Sequence, residues 1–331
     1  MKILAGDIGG TKTSLAVFEA DGTHLETLDS EKFSSQEHGS LDDIVRQYLN
    51  GLSFDCETAC FGIAGPVRSG KARTTNLPWE VDAQHMTENL GFRQVFLIND
   101  LEANAWGISA LDESDLSILN EGKPSSGGNA CIISAGTGLG EAGMYRDGSL
   151  FRPFASEGGH SDFSPGSELE IELLRFLRRR FDGHVSWERT VSGPGLVNLH
   201  DFLCEFRKTD PPGWLVKQMR QGDPAASISV AGQSGRCPVC LEALELFIHL
   251  YGAEAGNLAL KIMATGGVYI GGGIAPKVLS KLKEPAFMQA FSDKGRMAHL
   301  MRDIPVRVIL NDRTALYGPA LYALKRTVAG G

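Results

Sequence analysis

The sequence predicts an α/β protein of two similarly built lobes, and three observations carry that expectation. Ile3 to Phe18 reads as an apolar strand, a Gly9-Gly10-Thr11 turn and a second apolar run, and Ala130 to Tyr145 repeats the pattern around Gly136-Thr137-Gly138-Leu139-Gly140. Strand-type and helix-type apolar runs follow each turn. The chain is 331 residues long, 42% apolar and 22% charged, which is enough for two ordinary globular cores.

The first turn is too short for a crossover helix, so Ile3 to Phe18 is expected to be a β-hairpin whose bend lacks side-chain bulk. Amides of such a bend can face an anion, Thr11 can add a hydroxyl, and Asp7 at the strand end can hold a hydrated Mg²⁺ over the same phosphates. An ordinary hairpin with a solvent-facing Asp fits one turn equally well. Two turns a domain's length apart favour the phosphates of a nucleotide. Neither has the lysine-containing P-loop pattern, and neither opens a helix as a dinucleotide fingerprint must.

The formal net charge of −8, from 32 Lys and Arg against 40 Asp and Glu, speaks against extended nucleic-acid or anionic-membrane binding. MKILAGDIGG breaks at Asp7, so it is neither a signal peptide nor a membrane span, and a cytoplasmic protein is expected. Of the six cysteines, Cys237 and Cys240 have the spacing of half a zinc site or a redox pair. Cys56, Cys60, Cys131 and Cys204 form no second such pair, so structural thiols without disulfides are expected.

In order, Asp21-Gly22 signals a turn, Leu25 to Phe33 a strand, and Leu41 to Leu49 a helix capped by Ser40. Thr58 to Ala64 is a short buried strand, and Asn76 to Trp79 a loop that either stacks on a ligand or tucks its Trp in. Val95 to Ile98 ends in Asn99-Asp100 before a helix from Leu101 to Leu111. Asp100 there either caps the helix or meets a ligand at the carboxyl end of the strand. The polar stretch from Asp112 to Asn129 marks the lobe boundary.

Phe151 to Pro165 carries Glu157, His160 and Asp162; Glu157-Gly-Gly-His160 suits metal ligation, hydrogen bonding to a polyol, or the surface. Glu168 to Phe181 is a helix ending in three arginines that suit its dipole and solvent. Ser192 to Gly195 starts a helix through Phe206, Val216 to Ile228 is weakly helical, and a long helix runs from about Leu241 to Ala264. It leads to a strand ending in Gly271-Gly272-Gly273, where something flat can approach the backbone, and an adenosine is the economical guess. Short helices at Val278 to Leu282 and Pro285 to Phe291, a strand from Val306 to Leu310 and a closing helix from Leu316 to Val328 complete the reading.

Asp7-Ile-Gly-Gly-Thr11, Leu97-Ile-Asn-Asp100, Gly136 to Gly140, Glu157-Gly-Gly-His160, Glu188-Arg-Thr-Val-Ser-Gly-Pro-Gly195 and Gly271 to Gly273 occur together and in order. Over nearly its whole length the chain therefore resembles the bacterial glucokinase family, within the actin-like and hexokinase-like ATPases. The resemblance implies two ribonuclease-H-like α/β lobes around a central cleft, a smaller one of 1–110 plus about 312–331 and a larger one of 111–311 with helical insertions. It implies ATP- and Mg²⁺-dependent phosphorylation of glucose at its 6-hydroxyl by a cytoplasmic homodimer. It makes Asp100 the catalytic base and Asn99, Asp100, Glu157, His160 and Glu188 the glucose ligands. Nucleotide contacts fall to Asp7, Gly9, Gly10, Thr11, Lys12, Gly136, Thr137, Gly138, Gly140, Gly271, Gly272 and Gly273, with Asp7 reaching Mg²⁺ directly or through water. Kinases and repressors of the neighbouring ROK type carry a cysteine-rich zinc loop after the glycine-histidine. Here SDFSPGSELE follows His160, which argues against zinc and a repressor role, and no helix-turn-helix segment precedes Met1.

Overall fold

The computed structural model describes the chain except residues 22–23, 75–76, 124, 126, 149 and 330–331, and leaves out the side chains of 150 and 328–329. Gly22, Asn76 and part of the polar stretch before Asn129 thus lie outside the described residues. Two units are present: Met1–Asp115 with Arg152–Ala155 and Asn311–Gly331, and Leu116–Phe151 with Ser156–Leu310.

In the first unit, β1 (Lys2–Ile8), β2 (Lys12–Asp21) and β3 (His24–Ser34) form an antiparallel meander, followed by α1 (Leu41–Asn50). β4 (Thr58–Ile63) then pairs parallel with β1. Three short strands, β5 (Val67–Arg68), β6 (Lys71–Arg73) and β7 (Glu80–Asp82), make a separate small sheet before α2 (Ala83–Leu90). β8 (Gln94–Asn99) adds parallel to β4 and runs directly into α3 (Asp100–Gly107). The main sheet has the order β3-β2-β1-β4-β8.

Alternation along β1 sorts its side chains to two cores. Leu4 and Ile8 meet Leu41, Ile44 and Val45 of α1, while Ile3 and Ala5 meet Leu316, Ala320 and Ala323 of the closing helix, Thr314–Ala329. That helix crosses α3 at glycine contacts: a Cβ on Gly318 would stand 1.7 Å from the carbonyl oxygen of Ala103, and one on Gly107 2.1 Å from that of Thr314.

The second unit contains β9 (Leu116–Asn120), β10 (Ala130–Ala135), β11 (Leu139–Asp147), the ends of β12 (Leu150–Ser156), whose Arg152–Ala155 belong to the first unit, and α4 (Glu168–Phe181), α5 (Gly193–Arg207), α6 (Gly213–Gln221) and α7 (Pro224–Gln233). It continues through α8 (Pro238–Ile262), β13 (Gly267–Gly271), α9 (Leu279–Leu282), α10 (Pro285–Ser292), α11 (Ala298–Asp303) and β14 (Val306–Ile309); the closing helix is α12. Its sheet order is β12-β11-β10-β13-β14-β9. The run β12-β11-β10-β13-β14 has the plan of β3-β2-β1-β4-β8, with antiparallel β10–β11 and parallel β10–β13 and β13–β14 pairs. Each unit is thus a mixed sheet flanked by helices. α8 buries Leu244, Phe247, Tyr251, Ala255 and Leu258 against this sheet, each large apolar side chain contributing about 1.5–3 kcal/mol. The Tyr251 hydroxyl donates toward Ile133 O (3.2 Å) and Gly271 O (3.3 Å) and accepts from Ala135 N at 3.2 Å, stitching β10 to β13 where both end.

Several elements differ from the sequence expectation. The weak helix expected over 216–228 is two helices, because Asp223 caps a new one by accepting from the amides of Ala225 and Ala226, with Pro224 in its first turn. The polar stretch from Asp112 contains β9, which pairs antiparallel with β14. The small β5–β7 sheet and α2 had no signal, and Trp79 is tucked in at 3% exposure.

Candidate active site

In the first unit the glycine turn is held from below. Gly9 N donates to Lys12 O at 3.0 Å, Ser35 Oγ donates to Gly9 O at 2.8 Å, and Ser35 N donates to Thr11 O at 3.0 Å. Among the described residues the amides of Gly10 and Thr11 donate to no backbone carbonyl, which is the state an anion-binding bend requires. Thr11 and Lys12 are exposed.

Asp7, the last residue but one of β1, stands opposite Ser14 of β2 and Gly62 of β4. It lines a cavity of about 410 Å³ with Ser14, Lys32, Asp312, Arg313 and Leu316. Burial pushes its carboxyl up from the ordinary 3.8 to about 6, with the Lys32 ammonium pulling the other way. Lys32, Arg313 and Ser14 escaped the sequence reading, since only the folded sheet and the return of α12 bring them beside Asp7.

Two strands away, Asn99 sits level with Ile63 and Ile8, so it and Asp7 share the carboxyl edge of β1-β4-β8, about 10 Å apart at ordinary strand spacing. Asn99, rather than Asp100, is the N-cap of α3: its Oδ1 accepts from Leu101 N (2.9 Å) and Glu102 N (3.3 Å). Its Nδ2 donates to Gly65 O at 3.2 Å, which leaves one amide hydrogen for a ligand. Asp100 is half-buried in the first turn of α3, with Oδ1 accepting from Leu101 N at 3.0 Å. Gly62 permits this placement, because a Cβ there would stand 2.8 Å from that of Ala103 and 3.8 Å from the Asp100 Cα.

In the second unit the residues gather around Leu139. Glu188 Oε2 accepts from Leu139 N at 3.0 Å, and a Cβ on Gly138 would stand 2.5 Å from the same oxygen. Gly159 is buried so closely on this strand that a Cβ would stand 2.0 Å from Leu139 O. The Glu157 to His160 turn is closed by His160 N donating to Glu157 O (3.0 Å), and both end side chains are exposed. Trp187 N donates to Ser161 O at 3.1 Å, tying this turn to the short helix that carries Glu188. Ser192 Oγ donates to Glu188 O at 2.7 Å and caps α5, whose Gly193 N donates to Gly136 O at 2.8 Å. Gly271 and Gly272 abut the same edge: Cβ atoms there would stand 2.4 Å from Ser134 Oγ and 2.3 Å from Ala135 O. Gly272 has φ +82°, a left-handed conformation that glycine adopts without strain.

Glu157, His160, Glu188, Gly136 to Gly140 and Gly271 to Gly273 are therefore neighbours in the second unit, and Asp7, Gly9 to Lys12, Asn99 and Asp100 edge one sheet in the first. Among the described residues no group of three or more His, Cys, Asp or Glu side chains is arranged to hold a metal, so Glu157 and His160 gain no third ligand. Arg179 and Arg180 pair with Glu205 and Asp201 at the surface. No helix among the described residues is long and apolar enough to cross a membrane.

Comparison with known proteins adds the family. The model of the family Glucokinase matches residues 4–326. A glucokinase of Nostoc punctiforme is 42% identical over 337 aligned residues, covering 98% of this chain and 99% of that one. A glucokinase crystal structure from an Antarctic psychrotroph is 32% identical with a TM-score of 0.86, covering 98% and 99%. A ROK family glucokinase from Streptomyces griseus, solved with glucose and AMPPNP, shares the fold at 20% identity and a TM-score of 0.65, covering 98% and 100%.

Proposed function

The chain belongs to the glucokinase family and is a glucose kinase, and on that premise we propose that it transfers the γ-phosphoryl group of ATP to the 6-hydroxyl of D-glucose. The products are glucose 6-phosphate, which enters glycolysis, and ADP. The observation that carries this reading is the gathering around Leu139, where Glu157, His160 and Glu188, side chains suited to a polyol, and a glycine turn suited to phosphate occupy one neighbourhood. The ATP analogue and glucose bound by the Streptomyces griseus protein agree with it.

A sugar hydroxyl is a weak nucleophile, so a carboxylate must orient it and take its proton as the phosphoryl group arrives in line. We assign that role to Asp100, whose carboxyl is aimed by its bond from Leu101 N. Asn99 offers its remaining amide hydrogen to the sugar, and Glu157, His160 and Glu188 fix the other hydroxyls. Glu188 does so while accepting from Leu139 N, so sugar and phosphate turn are held in register by one side chain. The amides of Gly10 and Thr11, and of Thr137 and Gly138, face the phosphates, since those of Gly9 and Gly136 close their turns by donating to Lys12 O and Gly138 O. The glycines at 271–273 leave room for the nucleoside against the backbone.

The surroundings of Asp7 fit a hydrated Mg²⁺: an oxygen ligand whose ionised form is disfavoured without a further cation, beside Ser14 and within a cavity. When bound, the ion offsets charge on the phosphate oxygens. Cytoplasmic work as a homodimer belongs to the reading and rests on the family resemblance.

Asp100→Asn tests the assignment. Turnover in a coupled ADP-release assay should fall by a factor on the order of a hundred or more, with glucose affinity by calorimetry within about tenfold of wild type. Near-normal kcat would remove Asp100 from the role of base. Equal kcat/KM for glucose and mannose in wild type would overturn the glucose preference.

A further inference from the structure

Directly behind the Glu157 to His160 turn lies a pair of buried acids that the mechanism above does not use. Glu141 is 1% exposed, on β11 opposite Ile133 of β10, and Glu254 of α8 is 0% exposed. Glu141 Oε2 lies so close under Gly158 that a Cβ there would stand 2.0 Å from it. Its Oε1 is buried with no hydrogen-bond partner among the described residues. Glu254 has partners on its other side, Asn257 Nδ2 at 2.8 Å and Lys261 Nζ at 3.5 Å.

Two carboxylates side by side are both acceptors, so the orphaned oxygen needs a proton held between them. The other groups facing Glu141 are Cys131 and Tyr251, both buried and pushed up by burial, together with the Lys261 ammonium, and the half-buried Lys294 ammonium faces Glu254. We propose that Glu141 is a positioning residue for the sugar site: hydrogen-bonded as an acid to Glu254, it supports the Gly158-Gly159 turn and so holds Glu157 and His160 in place for glucose. This rests on the reading of Glu157 and His160 as sugar ligands. Burial and the Glu254 charge together push the Glu141 carboxyl up to about 8, and burial pushes Glu254 up as well, so the shared proton is retained at neutral pH. Above that pH Glu141 ionises against Glu254, and the resulting repulsion is released toward Gly158. That contact lacks the side chain that would resist it.

Glucose binding to the ligand-free enzyme, followed by tryptophan fluorescence at constant ionic strength, provides the test. In wild type the Kd should rise about fivefold between pH 7 and pH 9. Glu141→Gln keeps the shape and can still donate to Glu254; it should bind as wild type does at pH 7 and stay flat to pH 9. Glu254→Gln should flatten the response too, so the test survives if either variant folds poorly. A wild-type Kd that does not move, or a Glu141→Gln variant that retains the rise, overturns the proposal. So does an affinity that depends on exchanging Na⁺ for K⁺ in wild type alone, which would mean the pair holds a cation rather than a proton. Glu157→Gln measured alongside should weaken binding more than about tenfold at pH 7. If it does not, the sugar-site reading itself falls, whereas a weakened Glu157→Gln with an unchanged pH response in Glu141→Gln indicts only the role of Glu141.

Discussion

Asp7 should stabilise the ligand-free protein when its charge is removed. Its carboxyl, lifted from 3.8 to about 6, differs between folded and unfolded chains by about 2 pH units, or about 3 kcal/mol at 1.36 kcal/mol per unit. Asp7 keeps some access to water, and screening trims the figure to about 1–2 kcal/mol. Below pH 3.8 the group is protonated in both states and costs nothing. Between 3.8 and 6 the folded state is progressively penalised, and above 6 the penalty is constant. Asp7→Asn preserves the shape without the charge. Thermal melts of ligand-free protein should therefore show the variant more stable than wild type by a few degrees at pH 7.5, with the gap shrinking steadily toward pH 4.5. Turnover should fall at least about a hundredfold in the same variant, the trade expected where a site stores unfavourable charge for its ligand. A variant no more stable than wild type at pH 7.5, or a gap indifferent to pH, would refute the reasoning.

Two further outcomes follow from close backbone approaches. Gly159→Ala sets a methyl 2.0 Å from Leu139 O, a backbone atom that cannot swing aside, so glucose KM should rise more than about tenfold; an unchanged KM would take this turn out of the sugar site. Gly318→Ala drives α12 off α3 at the 1.7 Å contact with Ala103 O and should cost about 1–3 kcal/mol by urea denaturation, and a neutral result would mean that the two helices slide freely.

What the sequence made legible was whatever local chemistry decides. The Gly9 and Gly136 turns declared hairpins, and α4 runs over Glu168–Phe181 as its apolar periodicity suggests. The β5–β7 sheet, with strands of two or three residues, is too short to show a period. Helix capping by Asn99 instead of Asp100 turned on one residue of register, the least certain quantity in such a reading. The residues proposed for the site lie in motifs and were assigned by resemblance, whereas the side chains packed behind them carry no such signal. Glu141 reads in sequence as one charge in a half-apolar strand, and its burial depends on Glu254, more than a hundred residues away, arriving on α8. Arg313 and Lys32 reach Asp7 by the same long-range route.

The position of α12 in the chain bears on how the protein is made. Ile3, Ala5, Ala16, Phe18 and Ile98 are synthesised early, but the helix that covers them, α12, emerges only after the whole of Leu116–Leu310. At ribosomal rates the roughly 200 intervening residues take about 10–40 s. Throughout that interval the nascent first sheet presents one apolar face without its cover, while the second unit, whose elements are continuous from Ser156 to Leu310, can complete itself on the ribosome. A nascent chain of this design invites chaperone attention to its oldest residues rather than its newest. Loss of α12 would leave that apolar face bare, although every residue proposed for the site lies upstream of it.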